Sequence, residues 1–253
     1  MTVTSTGPDL TGRRVLIPGG TGGVGEGVVR RYLRAGADVV VPSRSPARVE
    51  EFRAVLADEA TDRLHLVAHD YSSFAGAEDL AAQMEDRLGG VDDVVAPIGG
   101  WWAGRNLWEI DEADWRGAFV GLATAHMAVL RACLPRMTAD GAYTVVMGAS
   151  ATMPVPGSGL VSMEQSALLM MQRVLAAELD GRQRVFALIL GPVHTRAAAA
   201  AGPTWVTADE VGAVAVAASA ATSTPGREIH LYDNGHLDAV LSSLATGRPA
   251  VPA

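Results

Sequence analysis

The sequence predicts an α/β fold: a single domain, residues 1–253, built on a doubly wound parallel sheet of about seven strands flanked by helices. Three observations carry that expectation. Short apolar, β-branched runs alternate with helical stretches along nearly the whole chain. The glycine-rich stretch PGGTGGVG, residues 18–25, stands between the first strand and the first helix. The fourth apolar run, residues 91–98, is hydrophobic enough for a parallel strand covered on both faces. No internal repeat or interdomain linker divides the chain.

The first element is the run 14–17, followed by the glycine turn and the amphipathic run 28–33. Strand, glycine turn and helix in that order make a Rossmann-like dinucleotide cradle. Glycines keep the turn tight, admit a pyrophosphate close to the backbone and let the helix pack on the strand. The helix N-terminus then offers N–H groups and a positive dipole end to phosphate. Gly19, Thr21, Gly22, Gly23, Val24 and Gly25 are the candidate cofactor contacts here.

A second strand is expected at 38–41, and the residues just after it bear on the cofactor. An NAD-type fold places an acidic residue there for the ribose 2′-hydroxyl, whereas this chain has Pro42-Ser43-Arg44-Ser45. A guanidinium beside a hydroxyl suits a 2′-phosphate, so Ser43 and Arg44 favour NADP(H). The alternative for Arg44 is a solvated surface side chain. A helix at 46–60 and a strand at 64–68 lead to Asp70 and Tyr71, with Asp70 placed to receive an adenine amino group. A helix at 74–88 is stopped by Gly89-Gly90, and the strand 91–98 empties into Gly99-Gly100-Trp101-Trp102-Ala103-Gly104-Arg105. Gly99 is a cofactor candidate. Trp101, Trp102 and Arg105 either line a substrate crevice or pack as a loop lid.

A long helix is expected over 111–137, capped by Asp111 and ended near Pro135. A strand at 143–147 precedes the loop 148–159, and a buried helix comes next at 161–179. A strand at 185–190 opens into Gly191-Pro192-Val193-His194-Thr195-Arg196 and an alanine run, expected as a mobile lid over 194–207 or as a helical turn. The capping box Thr207-Ala208-Asp209-Glu210 starts the next helix. The last strand is expected at 228–232, and the tail 244–253 is expected to be loosely ordered.

The composition narrows the function classes. A net charge of −8 and an isoelectric point near 5.2 argue against nucleic acid or an anionic membrane as partner. One cysteine, Cys133, excludes an internal disulfide and fits a reducing compartment. The apolar runs are short and broken by Gly, Pro or charge, and the opening MTVTSTGPDLTG has neither a basic nor an apolar leader region, so a cytoplasmic protein is expected. The histidines 65, 69, 230 and 236 show no metal-ligand spacing, and no metal is expected. His126, in an apolar helical pattern, reads as a core histidine.

Taken together, these residues resemble the short-chain dehydrogenase/reductase family over nearly the whole chain. DLTGRRVLIPGGTGGVG at 9–25 is similar to that family's opening strand and TGxxxGxG turn, with Pro18 in place of the usual threonine. Gly19, Gly23 and Gly25 fall on the motif glycines. Arg44 matches the arginine of NADP-preferring members and Asp70 the adenine-contacting aspartate. GPVHT at 191–195 resembles the segment that holds the nicotinamide, which implicates Pro192, Val193 and Thr195. PGREIHLYDNG at 225–235 resembles the closing strand. The resemblance also implies a homodimer or homotetramer built on the helices 111–137 and 161–179 and on the last strand.

The family's chemistry needs a tyrosine, a lysine four residues later, a serine on the preceding loop and an asparagine in the long helix. The lysine lowers the tyrosine pKa and grips the nicotinamide ribose, while the serine polarises the substrate carbonyl. Aligned here, those positions hold Val161, Gln165, Gly148 and Leu122, and the chain contains no lysine at all. The residues left as catalytic candidates are Ser150, His194 and Glu164, with Gln165 able to bond a ribose hydroxyl and Ser150 also bordering the substrate pocket. Three functions are compatible with this pattern. The first is an NADP(H)-dependent oxidoreductase acting on a small activated carbonyl, imine or conjugated alkene by a non-standard proton relay. The others are a redox-neutral cyclase, isomerase or dehydratase, and an inactive NADP-binding partner subunit.

Overall fold

The computed structural model describes residues 7–198 and 200–248. Seven strands form one parallel sheet: β1 (Arg14–Leu16), β2 (Asp38–Ser43), β3 (Leu64–Ala68), β4 (Asp93–Ala96), β5 (Ala142–Gly148), β6 (Arg184–Leu190) and, after a short pair β7 (Val193–His194) and β8 (Val206–Thr207), β9 (Glu228–Leu231). Their spatial order is β3-β2-β1-β4-β5-β6-β9, so the chain winds outward from β1 in both directions. The order reverses between β1 and β4, where a crevice opens at the carboxyl ends of the strands. The doubly wound parallel sheet expected from the sequence is the observed fold.

The helices cover both faces. They are α1 (Gly23–Arg34), α2 (Pro46–Leu56), α3 (Phe74–Leu88), α4 (Glu112–Trp115), α5 (Leu122–Cys133), α6 (Gly159–Leu179), α7 (Ala208–Ala220) and α8 (Leu237–Thr246). Two apolar clusters result. One lies between the sheet and α1, α2, α7 and α8, with Tyr32, Phe52, Phe186 and Val214 in it. The other lies between the sheet and α3, α5 and α6, with Met84, Val129, Tyr143 and Leu168. Strands β5 and β6 are almost wholly buried, which accounts for their largely apolar sequence.

Several elements depart from the sequence expectation for local reasons. Only Asp93–Ala96 of the run 91–98 is laddered to β1 and β5, while Val91 makes an isolated bridge to Met137. Helix α2 ends at Leu56 because Ala57 takes a positive φ of 47° and a 3₁₀ turn succeeds it. The long helix is continuous over Glu112–Arg136, but its segment Arg116–Gly121 is a π-turn and its end, Leu134–Arg136, tightens to 3₁₀ around Pro135. It is long and apolar enough to cross a membrane, yet Ala125, Ala128, Val129, Ala132 and Cys133 are buried in the core beside α3. The expected loose tail from residue 244 is corrected: α8 runs to Thr246, and Leu244 is buried while its carbonyl accepts from Thr224 Oγ1. Within the lid span 194–207, both ends are paired in β7 and β8. Residues 1–6, where the opening segment was read, Ala199 in the lid and residues 249–253 of the tail lie outside the described residues.

The feet of the central strands are clamped by charge. Asp93, fully buried, accepts two hydrogen bonds from Arg13, each 2.8 Å, and a third of 2.8 Å from the Ala142 backbone N–H. One carboxylate thus joins β1, β4 and β5. Truncating one partner of a buried ion pair leaves the other charge uncompensated, at a cost of about 3–5 kcal/mol. Asp93→Ala is expected to lose about that much in denaturant-unfolding free energy, while Asp140→Ala, at the exposed end of the same cluster, loses under about 1 kcal/mol.

Candidate active site

The glycine turn leaves β1 at the switch point and bends back under α1. Gly19 has φ +86°, and a side chain there would run into the Pro97 carbonyl at the exit of β4. A side chain on Gly25 would meet the Gly19 carbonyl. Both positions need glycine for the turn to close. Gly22 is the N-cap of α1 in extended conformation, and no side chain caps the helix. The first-turn N–H groups of Gly23, Val24 and Gly25 therefore have no partner inside the helix. Backbone donors and the positive end of α1 face a cradle bounded by glycines, which fits a pyrophosphate. Thr21 sits within this turn. Thr195 lies across it: a Cβ on Gly23 would be 2.8 Å from the Thr195 Cβ. Pro192 and Val193 are held beside it by pairing with Val206, whose N–H donates to the Pro192 carbonyl at 3.2 Å.

The residues expected at the adenosine end lie at the exits of β2 and β3. Ser43 closes β2, buried, with its carbonyl accepting from the His69 N–H at 2.8 Å. Ser45 caps α2, and Arg44 projects into solvent between them. Among the described residues Arg44 makes no ion pair within 4 Å, in a chain whose other arginines are largely paired. Asp70 accepts from the Ser72 hydroxyl at 2.6 Å and its N–H at 3.0 Å. Those bonds, with a smaller effect from the Arg44 charge, hold its carboxyl below the usual range. Tyr71 packs against the apolar cluster, and burial raises its phenol pKa. Gly99 has φ +157° and open space where a side chain would stand.

At the far end of the crevice the structure brings Ser150 and Gln165 together. The Gln165 Oε1 accepts from the Ser150 hydroxyl at 2.6 Å and from the Gly148 N–H at 2.9 Å. A side chain at position 148 would begin 3.1 Å from that same oxygen. Gln165 thus occupies the space in which a residue-148 side chain would sit, and its amide nitrogen is left as a free donor. Val161, one turn earlier on α6, is buried. This cluster contains no ionisable group.

The other catalytic candidates go elsewhere. Glu164 shares the buried stripe of α6 with Val161 and Leu168 and is 3% exposed. Its Oε1 has no hydrogen-bond partner, and burial pushes its pKa up to about 7. His194 is exposed on β7 and lines a pocket of about 280 Å³ with Gly23, Glu26, Gly27, Thr195 and Asp209, between α1 and the start of α7 beside the glycine turn. None of Ser150, Glu164 and Gln165 lines that pocket. Sequence reasoning did not single out His126 for the site, but its position matters. Fully buried on α5, it lies 2.9 Å from the Ile98 carbonyl through Nε2, which anchors the turn leading to Gly99. Burial lowers its pKa to about 4, so Nε2–H donates from a neutral ring, while Nδ1 is buried without a partner.

The tryptophan segment is an arm docked on the loop after β5. The Gly104 N–H donates to the Gly157 carbonyl at 2.9 Å, Arg105 bridges to Ser158, and Leu107 packs over Gly159. Trp101 is 68% exposed and Trp108 83%, with Trp102 half-buried. Arg105 is not free to meet a substrate anion: its guanidinium is held by Asp111 at 2.8 Å and by Asp114.

Comparison with known proteins adds three findings. Residues 19–230 match the family model described as enoyl-(acyl carrier protein) reductase. The human dehydrogenase/reductase SDR family member 2, mitochondrial, is 30% identical over 199 residues, covering 76% of this chain and 71% of that protein. Among solved structures, a dehydrogenase/reductase from Sinorhizobium meliloti superposes with a TM-score of 0.79 at 20% identity, over 88% of this chain and 94% of its own. A short-chain dehydrogenase from Burkholderia cenocepacia in complex with NADP does so at 0.77 and 22%, over 88% and 97%. At those identities the two structures speak for the fold.

The two buried titratable groups set opposite pH trends. Glu164 has a folded pKa near 7 against an ordinary 4.5, so the folded state holds the proton more tightly and stability falls as pH rises from about 4.5 to about 7. His126 has a folded pKa near 4 against an ordinary 6.5, so stability falls as pH drops from about 6.5 to about 4. In chemical unfolding across pH 4–8, Glu164→Gln is expected to gain stability relative to wild type as pH rises through that first window. A pH-independent difference between the two proteins would contradict this.

Proposed function

Because the chain belongs to the short-chain dehydrogenase/reductase family, we propose that this oxidoreductase uses NADP(H) and acts on a small organic substrate through a site without the family's proton relay. The observation that carries the cofactor reading is Arg44. Its uncommitted guanidinium stands directly after β2, where an NAD-type site has an acid, and beside Asp70. The uncapped N-terminus of α1 would take the pyrophosphate. Asp70 and Tyr71 would border the adenine, and Pro192, Val193 and Thr195 the nicotinamide. A bound NADPH would supply hydride to the substrate. The complete cradle favours this reading over a redox-neutral template or an inactive subunit.

The residues at the reacting end orient and polarise. Gly148, Val161 and Gln165 stand where the family carries serine, tyrosine and lysine, and no lysine exists to replace the last. Ser150 supplies the hydroxyl: it rotates from the Gln165 oxygen toward a substrate oxygen while Gln165 stays anchored by the Gly148 N–H. The Gln165 amide nitrogen donates to a ribose hydroxyl. Glu164 and His194 lie outside this centre.

Titration with NADPH and NADH tests the cofactor assignment. Wild type is expected to bind NADPH at least tenfold more tightly, and Arg44→Ala to remove that preference while leaving NADH affinity unchanged, since one charge-assisted phosphate contact is worth about 1.5–3 kcal/mol. Equal binding of both nucleotides to wild type would defeat it.

The assembly rests on the outer faces of α5 and α6, which we propose form a homodimer or homotetramer interface. Met127 on α5 and Met163, Met170 and Val174 on α6 are each 41–54% exposed, and the last three share one helix face. Sedimentation velocity is expected to show the oligomer for wild type and a monomer for Met170→Arg/Val174→Arg with unchanged circular dichroism.

A further inference from the structure

Two backbone turns meet at the switch point of the sheet, and one buried side chain holds the second of them. The chain leaves β4 through Pro97, Ile98 and Gly99, and this exit touches the glycine turn directly. A Cβ on Gly19 would lie 2.4 Å from the Pro97 carbonyl oxygen and 3.1 Å from the Ile98 Cα. No side chain cushions that contact, so a shift of one backbone is passed to the other. Just beyond it, Gly99 and Gly100 are exposed and have nothing within 4 Å of where a Cβ would stand. Their backbone is uncovered.

Ile98 is buried, and it stands outside the ladders that pair β4 with β1 and β5. Among the described residues its carbonyl accepts from one donor, the His126 Nε2–H of α5, at 2.9 Å. His126 is itself fully buried, and its Nδ1 has no partner. The imidazole therefore makes a single polar contact, and that contact is on the β4 exit. A half-satisfied polar ring is a costly way to fill a core position that an apolar side chain fills without the penalty. The donor is constant at neutral pH, because burial keeps the ring uncharged with its pKa near 4.

The strand order says which part of a bound dinucleotide this exit serves. Strands β2 and β3, whose exits carry Arg44 and Asp70, lie on one side of β1, while β4, β5 and β6 lie on the other. A dinucleotide with its 2′-phosphate at Arg44 and its pyrophosphate at the glycine turn continues over β4. Ile98 and Gly99 stand under that second half. Resting on the NADP(H) reading above, we propose that His126 is a positioning residue for the nicotinamide half of the cofactor, acting through the Ile98 carbonyl on the β4 exit. It touches neither cofactor nor substrate. Its N–H fixes the exit against Gly19 and so sets where the uncovered backbone of Gly99 lies, while the adenosine half is recognised without it.

The test titrates NADPH and, separately, adenosine 2′,5′-bisphosphate into wild type, His126→Met and His126→Gln by calorimetry, with circular dichroism to establish that each is folded. Methionine fills the volume without a donor, whereas the glutamine Nε2 reaches about as far as the histidine Nε2. His126→Met is expected to weaken NADPH binding about tenfold, the size of one buried carbonyl left unpaired, and to leave the bisphosphate within about twofold of wild type. His126→Gln is expected to recover most of the NADPH affinity. Should His126→Met not fold, His126→Asn, whose shorter amide does not reach Ile98, carries the same expectation. Equal weakening of both ligands marks a general structural role and overturns the proposal, as does unchanged NADPH affinity in the variant lacking the donor or no recovery in His126→Gln. A wild type that prefers NADH overturns the NADP(H) preference alone, since the same split is then read with NADH against AMP. A wild type that binds neither dinucleotide overturns both.

Discussion

The Arg13–Asp93 pair is the contact on which the rest of the sheet depends. Asp93 is fully buried at the foot of β4, and its two oxygens satisfy Arg13 on one side and the start of β5 on the other. Arg13 reaches on to Asp140, and Arg184, also buried, donates to the carbonyls of Asp140, Ala218, Ser219 and Ala221. Ala218 and Ser219 offer leftover acceptors at the end of α7, while the Ala221 carbonyl also takes the Thr224 N–H at 2.8 Å, so one guanidinium caps a helix while pinning the turn before β5. A buried carboxylate is tolerated only when such donors surround it. With the amino-terminal feet of β1, β4 and β5 locked by charge, their carboxyl ends can carry loops chosen for chemistry.

The layer that supports the cradle is set by glycine at a second place. At Gly27 a side chain would collide with the Ala208 carbonyl, and at Gly212 one would stand 2.5 Å from the Gly27 carbonyl. Helices α1 and α7 therefore cross at backbone contact. Tyr32, buried beneath the crossing, donates to the Ala215 carbonyl at 3.0 Å and shares a 2.6 Å bond with Ser219. The Thr207–Glu210 capping box fixes where α7 begins, and with it β8, β7 and the Thr195 segment lying across the cradle. The position of the Pro192–Thr195 segment is thus transmitted through a helix crossing that only glycine permits.

The fold was legible because its signals are local. The glycine turn, the β-branched runs and the Thr207–Glu210 box each announce themselves within a few residues, and the strand order obeys winding rules. The cradle was legible for the same reason: Gly19, Gly23 and Gly25 have their required neighbours adjacent in sequence. The catalytic end was not. Whether Gln165 would gather Ser150 and Gly148, 15 and 17 residues away, depends on how α6 sits on β5. Glu164 and Gln165 are neighbours in sequence, yet the helical turn of about 100° per residue sends one into the core and the other into the crevice. The missed helix α8 has a weak pattern, LDAVLSSLAT, whose burial is decided by the groove it fills beside α7. Residues 244–246 read as loose although Gly247 closes the helix in the left-handed conformation, its N–H donating to the Leu244 carbonyl.

In the proposed site Gln165 would stand in place of a lysine, with consequences beyond the lost charge. A cation there would repel a second cation and draw water toward the ribose; an amide does neither, and its oxygen can serve as acceptor for two donors that would otherwise compete for substrate. An oxyanion generated beside Ser150 would meet one hydroxyl and no positive charge, so the proposed reaction would rest on orientation against the cofactor more than on a charged relay. Glu164, although its pKa lies near neutrality, does not fill the gap. It faces the same interior stripe as Val161 and Leu168, and a proton released there has no bonded path to the Ser150–Gln165 pair.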